Sequence, residues 1–392
     1  MPWNETSRMH ERMRFIEDWK LSVFDFAELC RRFGVSRKTG YKWLRRHREL
    51  GGKGLEDRSR RPHRSPHRTD AGTMERIHQW KRHHATWGAK KLLKTLRRKD
   101  PWRRWPAIST VSAYLKRNGL VVAKRRRDFP GHAPKPQTPM SAPNEIWTAD
   151  YKGEFKTRDG IYCYPLTVVD GFSRYLLGCQ GHASTATGPA KEVFLRLFRE
   201  YGLPRIIRSD NGVPFATTAL GRLSRLSVWW IKLGITPELN EPAHPEQNGR
   251  HERMHRTLKA ETTRPPRANR CTQQRAFNEF RQEYNFERPH EGIDMETPAS
   301  LYVRSSRAMP DRPSALEYPG HFEHRLVSEN GGIRWNGEWI GVTHVLAGEL
   351  VGLEPIDDAL WEVYFGPVKL GRLDERTMKL HDLLGRTRRR KV

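Results

Sequence analysis

Apolar and polar residues follow three different rhythms along this chain. Over residues 10–48 the apolar positions recur at helical spacing, most clearly at Phe24, Phe26, Ala27, Leu29, Cys30 and Phe33. Gly34-Val35 interrupts the run, and Ser36 is placed to cap a second helix over 37–44 by accepting a bond from an orphan backbone N–H. A small residue, Cys30, four positions before Gly34 permits two helices to cross closely. Three further helical runs, 73–83, 88–96 and 108–117, predict a second helical module. Its core is Trp87, Leu92, Leu96, Val111 and Leu115, with Ser109 or Thr110 capping the last helix. From Glu145 the pattern becomes alternating strands (146–151, 162–169, 175–180, 206–209, 235–239) and helices (189–201, 222–233, 248–262, 273–285). Three strands in succession, then strand–helix alternation, predict a mixed five-stranded sheet flanked by helices. Residues 321–385 predict a small all-β, barrel-like module, with Trp335-Asn336-Gly337-Glu338-Trp339 as a two-residue hairpin.

The boundaries between these rhythms divide the chain. Helix-turn-helix modules are expected over 1–50 and 71–122, an α/β core over 144–303 and the β module over 321–385. Basic Gly- and Pro-rich linkers lie at 51–70 and 123–143, a further linker at 304–320 and a basic tail at 386–392.

Charge changes the picture. The chain carries +27, and residues 1–140 hold 36 Lys/Arg against 13 Asp/Glu, whereas residues 141–392 hold 36 against 32. The first third is therefore a polyanion-binding region, and nucleic acid is its expected partner. In a helix-turn-helix the second helix enters the major groove, which makes Arg37, Lys38, Thr39 and Lys42 candidate DNA contacts. Arg125 and Arg126 in the second linker are candidate backbone contacts. Four scattered cysteines (Cys30, Cys163, Cys179, Cys271) with no C-x-x-C pair argue against a zinc knuckle and a disulfide framework. No apolar run approaches bilayer length, so a soluble intracellular protein without membrane partners is expected.

Three carboxylates stand out against this basic background. Asp150 ends a strand-like run, Asp210 follows another, and Glu252 lies in the first turn of a basic helix. Two Mg²⁺ ions held by such groups activate an oxygen nucleophile and stabilise a leaving oxygen during phosphodiester chemistry. Glu252, His255, Arg256 and Lys259 recur at i, i+3, i+4 and i+7, and so predict one helix face carrying the carboxylate and then DNA-contacting groups. Asn248 and Arg250 precede it as further DNA-binding candidates. Asp170, in Asp-Gly after a strand, reads first as a turn residue, and His244, His251 and His290 as phosphate or structural contacts.

Five motifs in order carry a family resemblance: Trp147-Thr148-Ala149-Asp150, Val169-Asp170-Gly171-Phe172-Ser173-Arg174, Ser209-Asp210-Asn211-Gly212-Val213-Pro214-Phe215, the run from Pro245 to Lys259, and Tyr284-Asn285 with Arg288-Pro289-His290. The chain resembles a bacterial insertion-sequence transposase with the integrase-type catalytic core also found in retroviral integrases. The resemblance implies a ribonuclease-H-like fold and a D-D-E metal triad of Asp150, Asp210 and Glu252. It implies two Mg²⁺ ions, with Mn²⁺ as a substitute. The implied reaction is hydrolysis at the element's ends, followed by joining of their 3′-OH groups to target DNA. The implied partners are terminal inverted repeats, target DNA and further copies of the chain, in a bacterial cytoplasm at the nucleoid. The family's usual spacing of about 35 residues between the second Asp and the Glu selects Glu246, whereas the flanking motif selects Glu252, with 41 residues between it and Asp210. Glu252 is the expected third acid, the six extra residues being taken up in a longer helix around 222–233. A non-catalytic DNA-binding regulator and a ribonuclease-H-type nuclease are the alternative functions.

Overall fold

The N-terminal helices follow from capping and from one very close crossing. In the computed structural model, which describes residues 7–59, 69–121, 138–241, 248–383 and 385–386, α1 (Arg8–Lys20) is capped by Ser7 and α2 (Phe26–Arg32) by Asp25. Ser36 caps α3 (Arg37–Leu50), its hydroxyl accepting from Thr39 N–H at 3.2 Å. The crossing is made by Cys30 and Gly40: a Cβ on Gly40 would lie 2.8 Å from the Cys30 Sγ and 2.9 Å from the Phe26 ring. Phe15, Ile16, Leu29, Cys30, Trp43, Leu44 and Leu55 form the core beneath. Burying each of the larger of these side chains contributes about 1.5–3 kcal/mol. Residues 1–69 form one compact unit and residues 70–392 another.

The second unit begins with α4 (Ala71–His83), α5 (Ala89–Lys99) and α6 (Ile108–Arg117). Trp87, Leu92, Leu96, Val111 and Leu115 are buried together with Ile77 and Leu93, as their spacing predicts. Neither Ser109 nor Thr110 caps α6. The capping position is Ala107, without a side-chain bond, and both hydroxyl residues fall inside the first turn.

Next comes a mixed sheet of β1 (Ile146–Tyr151), β2 (Phe155–Lys156), β3 (Tyr162–Asp170), β4 (Leu176–His182), β5 (Ile206–Ser209) and β6 (Thr236–Leu239). The order β4-β3-β1-β5-β6 is antiparallel up to β1 and parallel from β1 to β6, with the two-residue β2 added on β3. One face packs on α7 (Thr187–Tyr201) and α8 (Arg225–Lys232), where Trp147, Leu166, Phe194, Phe198, Ile207 and Trp230 meet. The other carries α9 (Gly249–Thr262) and α10 (Arg270–Gln282), through Val169, Leu176, Cys179, Met254, Leu258 and Phe277. The Asn285 side chain ties the end of α10 to β4, accepting from Leu176 N–H at 2.8 Å and donating to Leu176 C=O at 3.0 Å.

The extra residues before α8 do not lengthen it. The helix has eight residues and is preceded by a short 3-10 turn, Leu220–Arg222. Leu220, Leu223, Val228 and Ile231 share a core with the C-terminal strands, so this segment is the platform on which the β module sits. That module is an antiparallel meander, β7 (Glu323–Leu326) and β10–β13 (Leu350–Asp357, Leu360–Phe365, Val368–Asp374, Lys379–Asp382), in the order β13-β12-β11-β10-β7. A hairpin, β8 (Gly332–Trp335) and β9 (Glu338–Gly341), turns at Asn336-Gly337 with φ of 45° and 84°, as the two-residue loop requires. The described ladders leave the meander an open sheet, not a hydrogen-bonded closed barrel.

Candidate metal-carboxylate site

Asp150 and Asp210 are brought together by strand register. β1 and β5 run parallel with Ala149 opposite Ser209, so the next residue on each chain is a carboxylate leaving the same end of the sheet. Adjacent strands lie about 4.8 Å apart. Glu252, one turn into α9, is close enough for its charge to act on Asp150. Burial, then the Asp210 charge and, more weakly, Glu252 push the Asp150 carboxyl up to about 7, against the bonds it accepts from Asn248 and Tyr151. Burial also raises Asp210. Glu252 itself is exposed. Two half-buried acids, Asp150 and Asp210, thus share this sheet edge, with the Glu252 charge near enough to act on Asp150. Carboxylate oxygens are the donor set Mg²⁺ prefers.

The surrounding bonds fix Asp150. Asn248 Nδ2 donates to its Oδ2 at 2.9 Å, and the Thr167 hydroxyl donates to its backbone carbonyl at 3.0 Å. That hydroxyl is buried and also contacts His251 Nε2 at 2.6 Å and His255 Nε2 at 2.7 Å. With its single proton committed to Asp150, the Thr167 oxygen accepts from both rings, which leaves both Nδ1 atoms as acceptors. His255 Nδ1 then faces Asp150 Oδ2 at 3.8 Å, and His251 Nδ1 lies 2.9 Å from Thr148 Oγ. Burial holds both imidazoles neutral, His251 down at about 3. Asp150, His251 and His255 present ligand atoms within 4.8 Å of one another. Both Nε2 atoms are already engaged by Thr167, however, so the trio reads as a packed support beneath the carboxylates.

The single-face expectation for α9 is corrected on one residue. Glu252, Arg256 and Lys259 are exposed, but His255 is buried against the sheet and does not share their face. It lies some 60° around the helix from Glu252, at the border where α9 meets β3. Asn248 is spent on Asp150, and Arg250 reaches Met140 Sδ at 3.1 Å. Asp170 is a turn organiser, accepting from Asn144 N–H, Ser173 N–H and Ser173 Oγ. His290 is half-buried, 3.3 Å from the Tyr284 carbonyl. Arg37, Lys38 and Lys42 are exposed on α3 and Thr39 is half-buried, with Tyr41 and Arg45 extending the exposed face. Glu246, His244, Arg125 and Arg126 lie outside the described residues.

Sequence reasoning missed Thr167 and Lys152. Burial, then the nearby Lys259 charge, lower the Lys152 pKa while Asp150 raises it, which puts two lysines beside the carboxylate edge. The i, i+4 spacing of His251 and His255 was the available signal for the inward-facing pair.

The Asp150 carboxyl predicts a pH effect on the metal-free protein. Between about 4 and 7 the native state holds a proton that the unfolded chain releases, so this group's contribution to stability falls as pH rises through that window. Asp150→Asn should therefore be more stable than the parent at pH 8, on the order of 1–3 kcal/mol, with the advantage vanishing near pH 4. Urea melts in chelator at both pH values measure it. An equal effect at pH 4 and 8 would show that the carboxyl is not strained by its neighbours.

Comparison with known proteins places the site in context. Models described as integrase core domain match residues 140–245 and 233–298, and one described as leucine-zipper of insertion element IS481 matches residues 22–83. The 31.7 kDa protein of insertion element IS407 from Burkholderia multivorans is 26% identical over 203 residues, 52% of this chain and 67% of that protein. The Gag-Pol polyprotein of baboon endogenous virus (strain M7) is 33% identical over 128 residues, 33% of this chain and 7% of the polyprotein. Among solved structures, the HTLV-2 integrase catalytic core domain in complex with magnesium aligns at 17% identity and a TM-score of 0.33, covering 41% of this chain and 98% of that one. The simian T-cell lymphotropic virus intasome in complex with PP2A regulatory subunit B56 gamma aligns at 16% identity and a TM-score of 0.37, covering 67% and 93%.

Proposed function

We propose that this chain, whose residues 140–245 and 233–298 match models described as integrase core domain, is a DNA transposase that cuts the ends of an insertion element and joins them to target DNA. The observation that carries the reading is the crowding of Asp150 by Asp210 and Glu252 at the C-terminal end of two parallel strands. Asp150, Asp210 and Glu252 would hold Mg²⁺, or Mn²⁺ in its place. When bound there, the ions supply charge stabilisation to the attacking and leaving oxygens of a phosphodiester. The chain's own part is positioning. Asn248 and Thr167 orient Asp150, the neutral His251 and His255 fill the space beneath it, and Lys152, Arg256 and Lys259 offer cations to the DNA strand. Joining two ends implies more than one copy of the chain on the DNA.

The purified chain, incubated with the inverted repeats that flank its gene and Mg²⁺, tests the reading. Strand-transfer products support it. Binding without cleavage would indicate a regulator, and cutting without preference for the ends would indicate a general nuclease.

End recognition falls to α3. Arg37→Ala is expected to weaken end binding by about 1–3 kcal/mol and to relax preference at one base pair if the guanidinium reads a base edge. An equal loss on random duplex makes it a phosphate contact. Binding should fall steeply with salt, because many phosphates are neutralised. Unchanged binding by Arg37→Ala in an electrophoretic shift would remove α3 from the interface.

A further inference from the structure

On the flank of α9, a second site stands apart from the carboxylates. A cavity of about 560 Å³ opens between α5, α9 and the segment after α10, and six cationic side chains line it: Lys91, Arg174, Arg250, Arg253, Arg256 and Arg288. Among the described residues, Glu291 is the one carboxylate in its wall. Among the described residues, Arg288 is paired with Glu261 at 2.8 Å, while Arg174, Arg253 and Arg256 have no ion-pair partner. Arg174 is the most telling of them. Its Nη1 is buried and donates to none of the described residues. The crowding is felt by the side chains themselves. Burial and then the Arg288 charge bring Lys91 down to about 8, and burial and then Arg250 bring Arg174 down to about 10. His290, also in the wall, is held neutral by burial and so adds no charge.

Cations gathered this closely raise the energy of the folded chain unless an anion joins them. Guanidinium forks match phosphoryl oxygens with paired N–H donors, a geometry a single carboxylate cannot satisfy from several sides at once. We propose that this cavity is a binding site for phosphoryl groups, separate from the metal-carboxylate edge and built jointly by the second helical module and the core. Two sources share that chemistry: the backbone of a DNA strand and a free diphosphate-bearing anion. The volume accommodates either, and the site's existence does not depend on the transposase reading.

Titration of the full metal-free chain with inorganic pyrophosphate at fixed ionic strength tests the proposal. One saturable site is expected, weakened at least tenfold by Arg174→Met and by Arg253→Ala. Arg104→Ala, an exposed arginine away from the cavity, and Asp210→Asn should bind as the parent does. Arg253 is exposed, so its truncation leaves the fold intact should Arg174→Met melt early. A labelled duplex then separates the sources. Displacement of DNA by pyrophosphate, together with weaker DNA binding by Arg253→Ala, assigns the site to backbone phosphates. Independent binding of the two assigns it to a free anion. Unsaturable pyrophosphate binding, or equal affinity in the parent and both cavity variants, overturns the proposal. Because the Asp210→Asn arm reads anion binding without catalysis, a protein that fails to cut DNA still decides this question.

Discussion

Glu252→Gln is expected to lower cleavage and strand transfer at least about a thousandfold, roughly 4 kcal/mol of transition-state stabilisation, while leaving end binding intact. The amide keeps the shape of the side chain but removes the negative oxygen a hard divalent cation needs. Asp150→Asn and Asp210→Asn should behave alike, since each deletes one of the charges converging at the strand ends. The comparison that matters is with Glu246→Gln. Glu252 acts electrostatically on Asp150 from the first turns of α9, whereas the spacing argument favours Glu246. Cleavage and joining assays on the four variants, with Mn²⁺ affinity alongside, separate the two. Full activity in Glu252→Gln with loss in Glu246→Gln would transfer the third position to Glu246 and leave Glu252 an exposed helix-start residue.

Much of this architecture was legible because local pattern and tertiary role agree. Ser36 caps α3 as its position predicts, Asn336-Gly337 turns the hairpin, and the apolar spacing of the second module predicts its buried core. Asp150 and Asp210 could be read as strand ends, and parallel pairing of those strands does the rest. What escaped depends on which flank of an element meets a neighbour. A helical wheel groups His255 with Glu252 and Lys259, but only the sheet beneath decides that His255 turns inward to Thr167. The helix expected over 222–233 begins only at Arg225. Leu223 joins Leu220 in the core shared with the β module, a contact no local pattern records. The cationic cavity joins Lys91 to Arg288, two positions far apart in the chain whose meeting no local pattern records.

Lys259→Glu is expected to reduce strand transfer by about a hundredfold or more, on the order of 3 kcal/mol, with the fold and Mn²⁺ affinity largely kept. Lys259 lies seven residues beyond Glu252, about 10 Å along the axis, too far to ligate the same ion and well placed for a phosphate beside the scissile bond. It is exposed on α9 and shares its neighbourhood with Lys152, whose charge it disfavours. Two lysines held near each other at the edge of a carboxylate cluster repel one another until a DNA strand lies across them. Reversing one charge therefore acts twice. It repels the strand, and it gives Lys152 an internal partner that competes with the phosphate. Lys259→Arg keeps the charge and should retain part of the activity, since its planar fork meets phosphate with a different geometry. The double variant Lys152→Met/Lys259→Glu distinguishes the two effects. If competition for Lys152 dominates, it should be no worse than Lys259→Glu alone. Strand transfer at the parent's rate by Lys259→Glu would mean that this face of α9 meets solvent during the reaction, and that the helix contributes its carboxylate and the buried histidine pair alone.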